Sequence, residues 1–143
     1  MIISPAKKMR VDQEYLAYQD LPRFLKEAER LMGQLRQMDA SALQTLWKCN
    51  DALARENIQR LQRMELYHDL TPAILAYDGI QYRYLAPNVL EEGALAYLQA
   101  HLRILSGFYG LLRPLDGVTP YRLEMQAKLA VGEARDLYAF WGE

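Results

Sequence analysis

The chain has 143 residues, which fits one domain of ordinary size, and 51% of its residues are apolar while 24% are charged. This balance excludes a disordered protein, and no apolar run reaches the roughly 18 residues that a membrane span needs. Lys and Arg number 17 against 18 Asp and Glu, for a formal charge of −1. That total excludes a protein that coats nucleic acid by overall charge, but it leaves room for a local basic face.

The N-terminus and the cysteine content indicate the cellular compartment. MIISPAKKMR places its apolar residues before its charges, which is the reverse of a secretory signal. The one cysteine, Cys49, provides neither a disulfide framework nor a cysteine-based metal site. We therefore expect a cytoplasmic protein without a membrane segment.

The first predicted elements are a strand and a long amphipathic helix. Met1 to Ile3 are expected to form a short buried strand, because they are apolar and partly β-branched. Three cations follow within four residues, and a solvated loop is their simplest interpretation: Lys7, Lys8 and Arg10. From Leu21 to Met38 apolar residues recur at i, i+3, i+4 and i+7, which predicts a helix with Asp20 as its cap and Pro22 in its first turn.

The next predicted unit is a pair of short helices joined by a tight link. One helix is expected from Asp39 or Ser41 to Trp47, and a second from a cap at Asn50 or Asp51. The link and the second helix carry four cations against two acids: Lys48, Arg55, Arg60 and Arg63 against Asp51 and Glu56. Such an αα-hairpin can direct backbone N–H groups and cations at a phosphate. An ordinary helical pair with solvated charges is the alternative that the sequence leaves open.

The second half of the chain mixes helical and strand signals. A helix is predicted from Thr71-Pro72 to Asp78-Gly79, and Asn88 with Glu91 resembles a capping box for a helix of about 89–100. Beyond His101 the stretches LRIL and YRLEM are expected to be short strands between Gly and Pro turns. A last helix is expected from Asp136 to Trp141. The predicted fold class is α+β, helix-dominated with short strands, in a single domain of residues 1–143.

Metal sites and catalytic triads find little support in the sequence. His68 and His101 lie far apart, and neither has a second ligand at i+3 or i+4. Ser4, Ser106 and Cys49 are candidate nucleophiles, but none belongs to a recognisable arrangement with a histidine and an acid. We therefore expect no catalytic residue, no metal and no cofactor.

The stretch HLRILSGFYGLLRPLDGVTPYRLEM, residues 101–125, combines turn residues, large apolar side chains and three arginines. Gly107-Phe108-Tyr109-Gly110 has the G-x-x-G spacing of loops that clamp a nucleic-acid backbone, although two aromatic residues separate its glycines. Phe108, Tyr109 and Tyr121 would then stack on bases. In the alternative interpretation the same aromatic side chains pack in a turn-rich core.

Four stretches together resemble one known family: IISPAK at 2–7, LAYDGIQY at 75–82, the 101–125 stretch and DLYAFWG at 136–142. In this order they are similar to the YaaA family of bacterial peroxide-stress proteins. The resemblance implies a cytoplasmic protein that binds double-stranded DNA through a positively charged cleft and a helix-hairpin-helix element. It also implies a family-specific fold and a role in limiting damage by hydrogen peroxide, tied to low free intracellular iron. No catalytic reaction comes with the family.

The family's motifs map onto Ser-Pro-Ala-Lys at 4–7, Leu-Arg-Ile-Leu-Ser-Gly at 102–107, Arg-Pro-Leu-Asp at 113–116 and Tyr-Arg-Leu-Glu-Met at 121–125. The helix-hairpin-helix falls on about 41–62. There this chain has Ala52 where the family often has a lysine, which removes one phosphate contact. The expected DNA-binding residues are Ser4, Lys7, Lys8, Lys48, Arg55, Arg60, Arg103, Ser106, Arg113, Tyr121 and Arg122.

The resemblance also carries an expectation about length. Family members continue past the Phe-Trp-Gly run, so this chain is expected to be truncated at its C-terminus, with strand edges and apolar surface left uncovered. Association of two chains or a poorly behaved monomer would follow, with DNA binding weaker than in a full-length relative. The leading hypothesis is a DNA-binding protein of the peroxide stress response with low sequence specificity. The alternative is an enzyme acting on a phosphorylated or nucleic-acid substrate, with Ser4, Lys7 and Arg122 in one cleft; iron sequestration by carboxylates ranks last.

Overall fold

The computed structural model of the chain describes residues 2–6, 8–11, 17–78 and 92–142. Within these ranges the chain is α+β and dominated by helices, as predicted, and its strands are no longer than the 4 residues of Arg103–Ser106. The elements in chain order are β1 (Ile2–Ile3), α1 (Leu25–Arg36), α2 (Ala40–Trp47), α3 (Asp51–Arg63), β2 (Thr71–Pro72), α4 (Ala73–Ala76), α5 (Glu92–His101), β3 (Arg103–Ser106), β4 (Gly110–Leu112), β5 (Gly117–Val118) and α6 (Leu137–Trp141).

Helix α1 is shorter at its start than the apolar period predicts. It begins after Phe24 rather than at Leu21, and Asp20 is not its cap. Asp20 instead forms a parallel bridge with Asp116, and its carbonyl accepts a hydrogen bond from the N–H of Gly117 (2.8 Å). Because this pairing holds residue 20 in extended backbone, the helix starts one turn later. The predicted buried stripe is confirmed within the helix at Leu25, Ala28, Leu31 and Leu35.

Helices α2 and α3 form the predicted αα-hairpin. Asp39 accepts a hydrogen bond from the N–H of Ala42 (2.8 Å) and Asn50 accepts one from Leu53 (2.9 Å), so local capping fixes both starts. Between the helices, Lys48 ends α2 in the left-handed conformation, with φ 53°. Helix α3 then packs on both α2 and α1. The assignment of this pair as a DNA-binding helix-hairpin-helix stays a prediction.

The helix predicted after Thr71 is only one turn long. Thr71–Pro72 pairs antiparallel with Gly117–Val118, and only Ala73–Ala76 are helical. Tyr77 then forms an antiparallel bridge with Met9. Strand pairing on both sides of α4 therefore overrides the helical signal, and the predicted continuation to residue 78 is wrong.

Helix α5 begins within the predicted range, at Glu92, but its predicted capping box, Asn88 with Glu91, lies outside the described residues. The predicted last helix is confirmed as α6. The Asp136 side chain caps it by accepting a hydrogen bond from the N–H of Ala139 (2.8 Å).

Strands β1, β3 and β4 form a small sheet in the order β1-β3-β4. Strand β1 pairs parallel with β3, which places Ile3 opposite Ile104, and β3 pairs antiparallel with β4, which places Leu105 opposite Leu111. Ile104 is fully buried, whereas Leu105 and Leu111 are exposed on the other face. Ile2 is 67% exposed, so the prediction that the first strand is buried is wrong.

The predicted LRIL strand is confirmed within β3, but the strand predicted for residues 121–125 is wrong, because this segment is irregular. It passes close to the turn after β3. A Cβ atom at Gly107 would lie 2.7 Å from the carbonyl oxygen of Leu123, so only glycine permits this approach. The indole Nε1 of Trp141 donates to the carbonyl of Gly107 (2.8 Å) and ties α6 to the same turn.

Candidate nucleic-acid interface

A buried cluster of hydroxyl groups supports the 121–125 segment from behind. The Ser106 hydroxyl accepts hydrogen bonds from the N–H groups of Phe108 (3.2 Å) and Tyr109 (3.0 Å). With both lone pairs engaged, it donates to the hydroxyl of Tyr121, 2.6 Å away. The Tyr121 hydroxyl also lies 2.6 Å from that of Tyr77. Ser106 has no exposed surface, so in this structure it orders the turn and does not reach a ligand.

The aromatic residues of the G-x-x-G loop lie in the core. The Phe108 ring stacks on Tyr121 with 5.1 Å between centroids, and Tyr109 meets Tyr121 edge-on at 5.5 Å. Burial raises the pKa of Tyr121 to about 12, although hydrogen bonds from Ser106 and Tyr77 act in the opposite direction. Burial also raises the pKa of Tyr77 and of Tyr109. The packing alternative therefore describes Phe108 and Tyr109, which have no exposed surface. Tyr121 packs with them but also lines the cleft described next, and its contact with DNA stays a prediction.

In front of this cluster, the N-terminal segment and the 121–126 segment enclose a cleft of about 380 Å³. Its lining residues are 2–6, 105, 121–126 and 138, and we name it the N-terminal cleft. It brings together Ser4 and Arg122, with Glu124 as an acid beside them. Lys7, which the sequence places with them, lies outside the described residues.

A smaller cavity of about 90 Å³ adjoins this cleft where the 121–126 segment meets the link between α2 and α3. We name it the hairpin cavity, and its lining residues are Leu46, Trp47, Lys48, Arg122, Glu124, Gln126 and Ala127. Arg122, Glu124 and Gln126 line both spaces. Arg122 Nη2 donates to the carbonyl of Trp47 (3.3 Å), which fastens the segment to the hairpin.

The other end of α3 contributes to a third concave region, of about 380 Å³, which we name the arginine groove. Its lining residues are Arg10, Val11, Glu56, Gln59, Arg60, Arg63, Met64, Thr119 and Pro120. Arg60 pairs with Glu56 at 3.1 Å, and Arg10 Nε donates to the carbonyl of Leu75 (2.9 Å). Three arginines thus line this groove against one acid.

Two of these arginines, Arg10 and Arg63, are missing from the list of expected DNA-binding residues, although the sequence contains a signal for each. Arg63 is one of the hairpin cations, and Glu56, Arg60 and Arg63 follow i, i+4, i+7 spacing, which places them on one helix face. Arg10 belongs to the cluster of three cations at residues 7–10. In the structure Arg10 is exposed, while Met9 before it is buried.

Arg103, the first residue of β3, is held by the end of the preceding helix α5. Its Nη1 donates to the carbonyl of Gln99 in the last turn of α5 (2.8 Å) and to that of Leu102 just after the helix (2.7 Å). A guanidinium at this position satisfies backbone acceptors that have no partner inside the helix. Arg103 therefore has a structural role at the end of α5. A contact between Arg103 and DNA stays a prediction.

Arg113 is likewise engaged within the protein. Its Nε lies 2.9 Å from the buried carboxylate of Asp116, and its Nη2 donates to the carbonyl of Leu21 (3.2 Å). Burial raises the pKa of Asp116, while Arg113 acts in the opposite direction. Of the three arginines in the 101–125 stretch, Arg122 lines the N-terminal cleft and Arg103 and Arg113 do not.

The remaining expected residues are Lys8, Lys48 and Arg55, and all three are exposed. Lys48 lines the hairpin cavity. Across the described ranges, no three His, Cys, Asp or Glu side chains group closely enough to hold a metal ion. Nor does any helix in those ranges combine the length and apolarity that crossing a bilayer requires.

Comparison with known proteins gives one consistent family. The family model described as "Peroxide stress protein YaaA" matches residues 1–143. The chain is similar to a "UPF0246 protein" of Lactiplantibacillus plantarum, with 55% identity over 143 residues that cover 100% of the chain and 58% of the relative. It is 53% identical over 142 residues to the "UPF0246 protein" of Pediococcus pentosaceus, covering 99% of the chain and 57% of that relative. The "UPF0246 protein" of Agathobacter rectalis is 49% identical over 143 residues, with 100% and 57% covered. The chain therefore spans a little over half the length of these curated relatives.

Proposed function

The chain belongs to the YaaA family of peroxide stress proteins, and from that premise we propose that it binds the phosphate backbone of double-stranded DNA. Binding would take place in the cytoplasm and with low sequence specificity, because phosphate contacts carry no sequence information. The hairpin of α2 and α3 would be the central element of the interface.

The observation that carries this proposal is the uneven distribution of charge along α3. The whole chain has a net charge of −1, yet cations line a concave region at each end of this helix. Lys48 and Arg122 lie at the start, and Arg10, Arg60 and Arg63 lie at the end. A helix of 13 residues is about 20 Å long, and that length of duplex carries roughly a dozen phosphate charges. The cations are therefore spaced to follow a duplex rather than to surround one small ligand.

The link to peroxide follows from the counterions of DNA. A duplex condenses cations along its phosphates, and a protein that neutralises phosphates with Lys and Arg releases them. Iron(II) held near the backbone would be released in the same way, so hydrogen peroxide would find less iron beside the bases. In this proposal the chain limits damage by occupying DNA, and it does not need to bind iron itself.

Salt dependence provides the test. Affinity for a fluorescent duplex, measured by anisotropy, should fall roughly 10²- to 10³-fold between about 50 and about 200 mM salt if five phosphates are contacted. Duplexes of unrelated sequence should bind about equally well. An affinity that stays constant across this range of salt would overturn the proposal.

Single substitutions assign the contacts. K48Q, R10Q and R63Q should each lower the salt slope by about one, because each removes one phosphate contact. R135Q is the matched control, since Arg135 is exposed and does not line any of the three concave regions described above. R55Q tests the exposed cation that the sequence predicts as a contact. Equal slopes in K48Q, R63Q and R135Q would show that DNA does not follow α3.

The second candidate is an enzyme that acts on a phosphorylated or nucleic-acid substrate in the N-terminal cleft. The observation that favours it is the placement of Ser4 and Arg122 in one cleft beside Glu124. An arginine can stabilise the charge that develops on a phosphoryl group. Incubation with labelled DNA and nucleotides, with and without magnesium, tests it: a product that S4A and R122Q abolish would favour the enzyme over the binding module.

A further inference from the structure

Two buried hydrogen-bond donors next to the hairpin cavity have no acceptor. Trp47 Nε1 and Arg122 Nε are both inaccessible to solvent and find no partner among the described residues. Trp47 is 6% exposed, and both residues line the hairpin cavity. Buried polar groups almost always have partners, because an unpaired donor loses its hydration without compensation. Two such donors beside one cavity indicate an acceptor that enters from outside.

We propose that the hairpin cavity binds one phosphate group, with Trp47, Lys48 and Arg122 as its donors. The cavity of about 90 Å³ is several times the roughly 10–15 Å³ that a cavity needs to hold one water molecule. It therefore has room for a compact group such as a phosphate.

The charge and chemistry of the lining favour an oxyanion with several oxygens. Lys48 and Arg122 supply two positive charges against the single carboxylate of Glu124, and Gln126 adds a neutral amide. The indole, guanidinium and ammonium groups belong to three different side chains of the lining. Donors from three side chains match the oxygens of a tetrahedral phosphate better than the two of a carboxylate. The carboxylate of Glu124 repels an anion. Phosphate binding would therefore require both cations, Lys48 and Arg122, to outweigh this one acid.

The position of Lys48 makes this site part of the hairpin. Its left-handed backbone, with φ 53°, is a conformation that non-glycine residues adopt uncommonly. The adjacent residue, Trp47, supplies the carbonyl that holds Arg122. Trp47 and Lys48, at the link between α2 and α3, and Arg122, which Trp47 anchors, therefore all line one small space.

This inference deepens the proposed function, because the phosphate could belong to DNA, but the site can be tested without DNA. The indole N–H signals of Trp47 and Trp141 in a ¹⁵N-labelled sample give two separate probes, and W47F assigns them. Trp141 Nε1 already donates to Gly107 and is the internal control. Titration with sodium phosphate at constant ionic strength should shift the Trp47 signal and leave the Trp141 signal unchanged. An unmoved Trp47 signal overturns the site.

Two substitutions of Lys48 distinguish the loss of its positive charge from a change in folding. K48Q should weaken phosphate binding about tenfold, since it removes a charge-assisted hydrogen bond, and K48R should restore most of the affinity. R135Q, at an exposed residue outside the cavity lining, should bind as the unmodified chain does. Equal losses in K48Q and R135Q would show that phosphate binding depends only on the overall charge, which contradicts the site.

Two further titrations distinguish the source of the phosphate and separate this inference from the proposed function. A duplex with 5′-phosphate ends and the same duplex without them are added in turn to the labelled chain. A shift of Trp47 with both supports a backbone phosphate, and a shift only with the phosphorylated ends supports a terminal one. If DNA binds while neither DNA nor inorganic phosphate moves Trp47, the site fails and the proposed function stands. If inorganic phosphate moves Trp47 but DNA does not bind, the site stands and the proposed function fails.

Discussion

At the scale of single residues, Ser106 stabilises the turn that follows β3. Its hydroxyl accepts two backbone N–H groups and donates to Tyr121, and no part of it is exposed. The sequence places Ser106 in the same motif as Arg103, residues 102–107, and so predicts that it contacts DNA. Its position beneath the 121–125 segment instead makes it a support for the residues that line the N-terminal cleft.

Removal of this hydroxyl should be costly. In S106A the N–H groups of Phe108 and Tyr109 would stay buried without an acceptor, and we expect a loss of about 3 kcal/mol in the free energy of unfolding. S41A is the matched control, because Ser41 is exposed on α2 and should change stability by less than about 0.5 kcal/mol. Urea unfolding of both variants measures the difference. Equal midpoints would contradict the role of Ser106 as an acceptor.

The buried tyrosines make stability sensitive to alkaline pH. In the folded chain burial raises the pKa of Tyr121 to about 12, above the value of about 10 in the unfolded chain. The neutral form is therefore favoured by folding, and its contribution is complete below about pH 10 and is lost as the pH rises toward about 12. Each such tyrosine should reduce the free energy of unfolding by about 1.4 kcal/mol per pH unit in this window.

Urea unfolding at a series of alkaline pH values tests this expectation. Y121F lacks one of the titrating groups, so its stability should fall less steeply with pH than that of the unmodified chain. The lysines, the cysteine and the tyrosines that do not contact Tyr121 cancel in the difference. Tyr77 loses a neighbour that raises its pKa, which changes the pH dependence in the same direction. Parallel pH profiles for the two proteins would contradict the expectation.

At the scale of elements, the turn after β3 is where α6 and the 121–125 segment meet. Gly107 contacts the backbone of this segment, and Trp141 of α6 donates to its carbonyl. The next glycine, Gly110, has φ +74°, and a Cβ there would lie 2.7 Å from the Trp141 ring. Because Gly107 and Gly110 have no Cβ atom, the 121–125 segment and α6 can pack closely against this turn. This packing fixes the position of the segment that lines the N-terminal cleft.

A pair of glycine substitutions tests this dependence. In G107A the new methyl would lie within 2.8 Å of backbone atoms of residues 123–125, so we expect a loss of about 2 kcal/mol or more. In G33A nothing lies within 4 Å of the new methyl, and alanine in α1 should increase stability by up to about 1 kcal/mol. Thermal unfolding should show a lower midpoint for G107A and an equal or higher midpoint for G33A than for the unmodified chain. A G107A variant as stable as G33A would show that the segment moves aside at little cost.

The elements that the sequence predicts well are those that local signals define. Helices α2, α3 and α6 each begin at or next to a predicted start or cap. There the side chains of Asp39, Asn50 and Asp136 accept hydrogen bonds from N–H groups three residues away. Strands β2 and β5 could not be predicted, since Thr71 finds its partner only at Val118. The late start of α1 has the same cause, a bridge between residues distant in the sequence.

The candidate site, like the fold, is predicted only where local signals define it. The sequence names Lys48 and Arg122 as DNA-binding cations, and both line the hairpin cavity. It does not show that Arg122 is anchored on the carbonyl of Trp47, because that contact joins residues 75 positions apart. For the same reason it cannot separate Arg113, which an ion pair with Asp116 engages, from an arginine that faces a cleft.

At the scale of the whole molecule, apolar side chains are exposed on one face of the three-stranded sheet. Leu105 and Leu111 form a cross-strand pair and are 40% and 39% exposed, and Ile2, which pairs with Arg103, is 67% exposed. Exposed apolar side chains grouped on one face of a sheet favour association. The curated relatives are longer than this chain, which covers 58% of one of them.

We expect this face to make the chain self-associate. Sedimentation velocity should show a concentration-dependent mass above that of the 16.6 kDa monomer, and the double variant L105E/L111E should shift the equilibrium toward monomer. L53E is the control, because Leu53 on α3 is 39% exposed but lies outside the sheet. A chain that stays monomeric at every concentration, or one that L53E disrupts equally, would contradict this expectation.

The parallel pairing of β1 with β3 has a consequence for biosynthesis. Helices α1, α2 and α3 close through contacts near in sequence, so they can form while the chain is still being made. Ile2 and Ile3 leave the ribosome before these helices, but their partners, Arg103 and Ile104, leave after them. Strand β1 is thus made before the hairpin and is fixed in the sheet after it. The hairpin exists on the nascent chain well before the N-terminal cleft beside it can be completed.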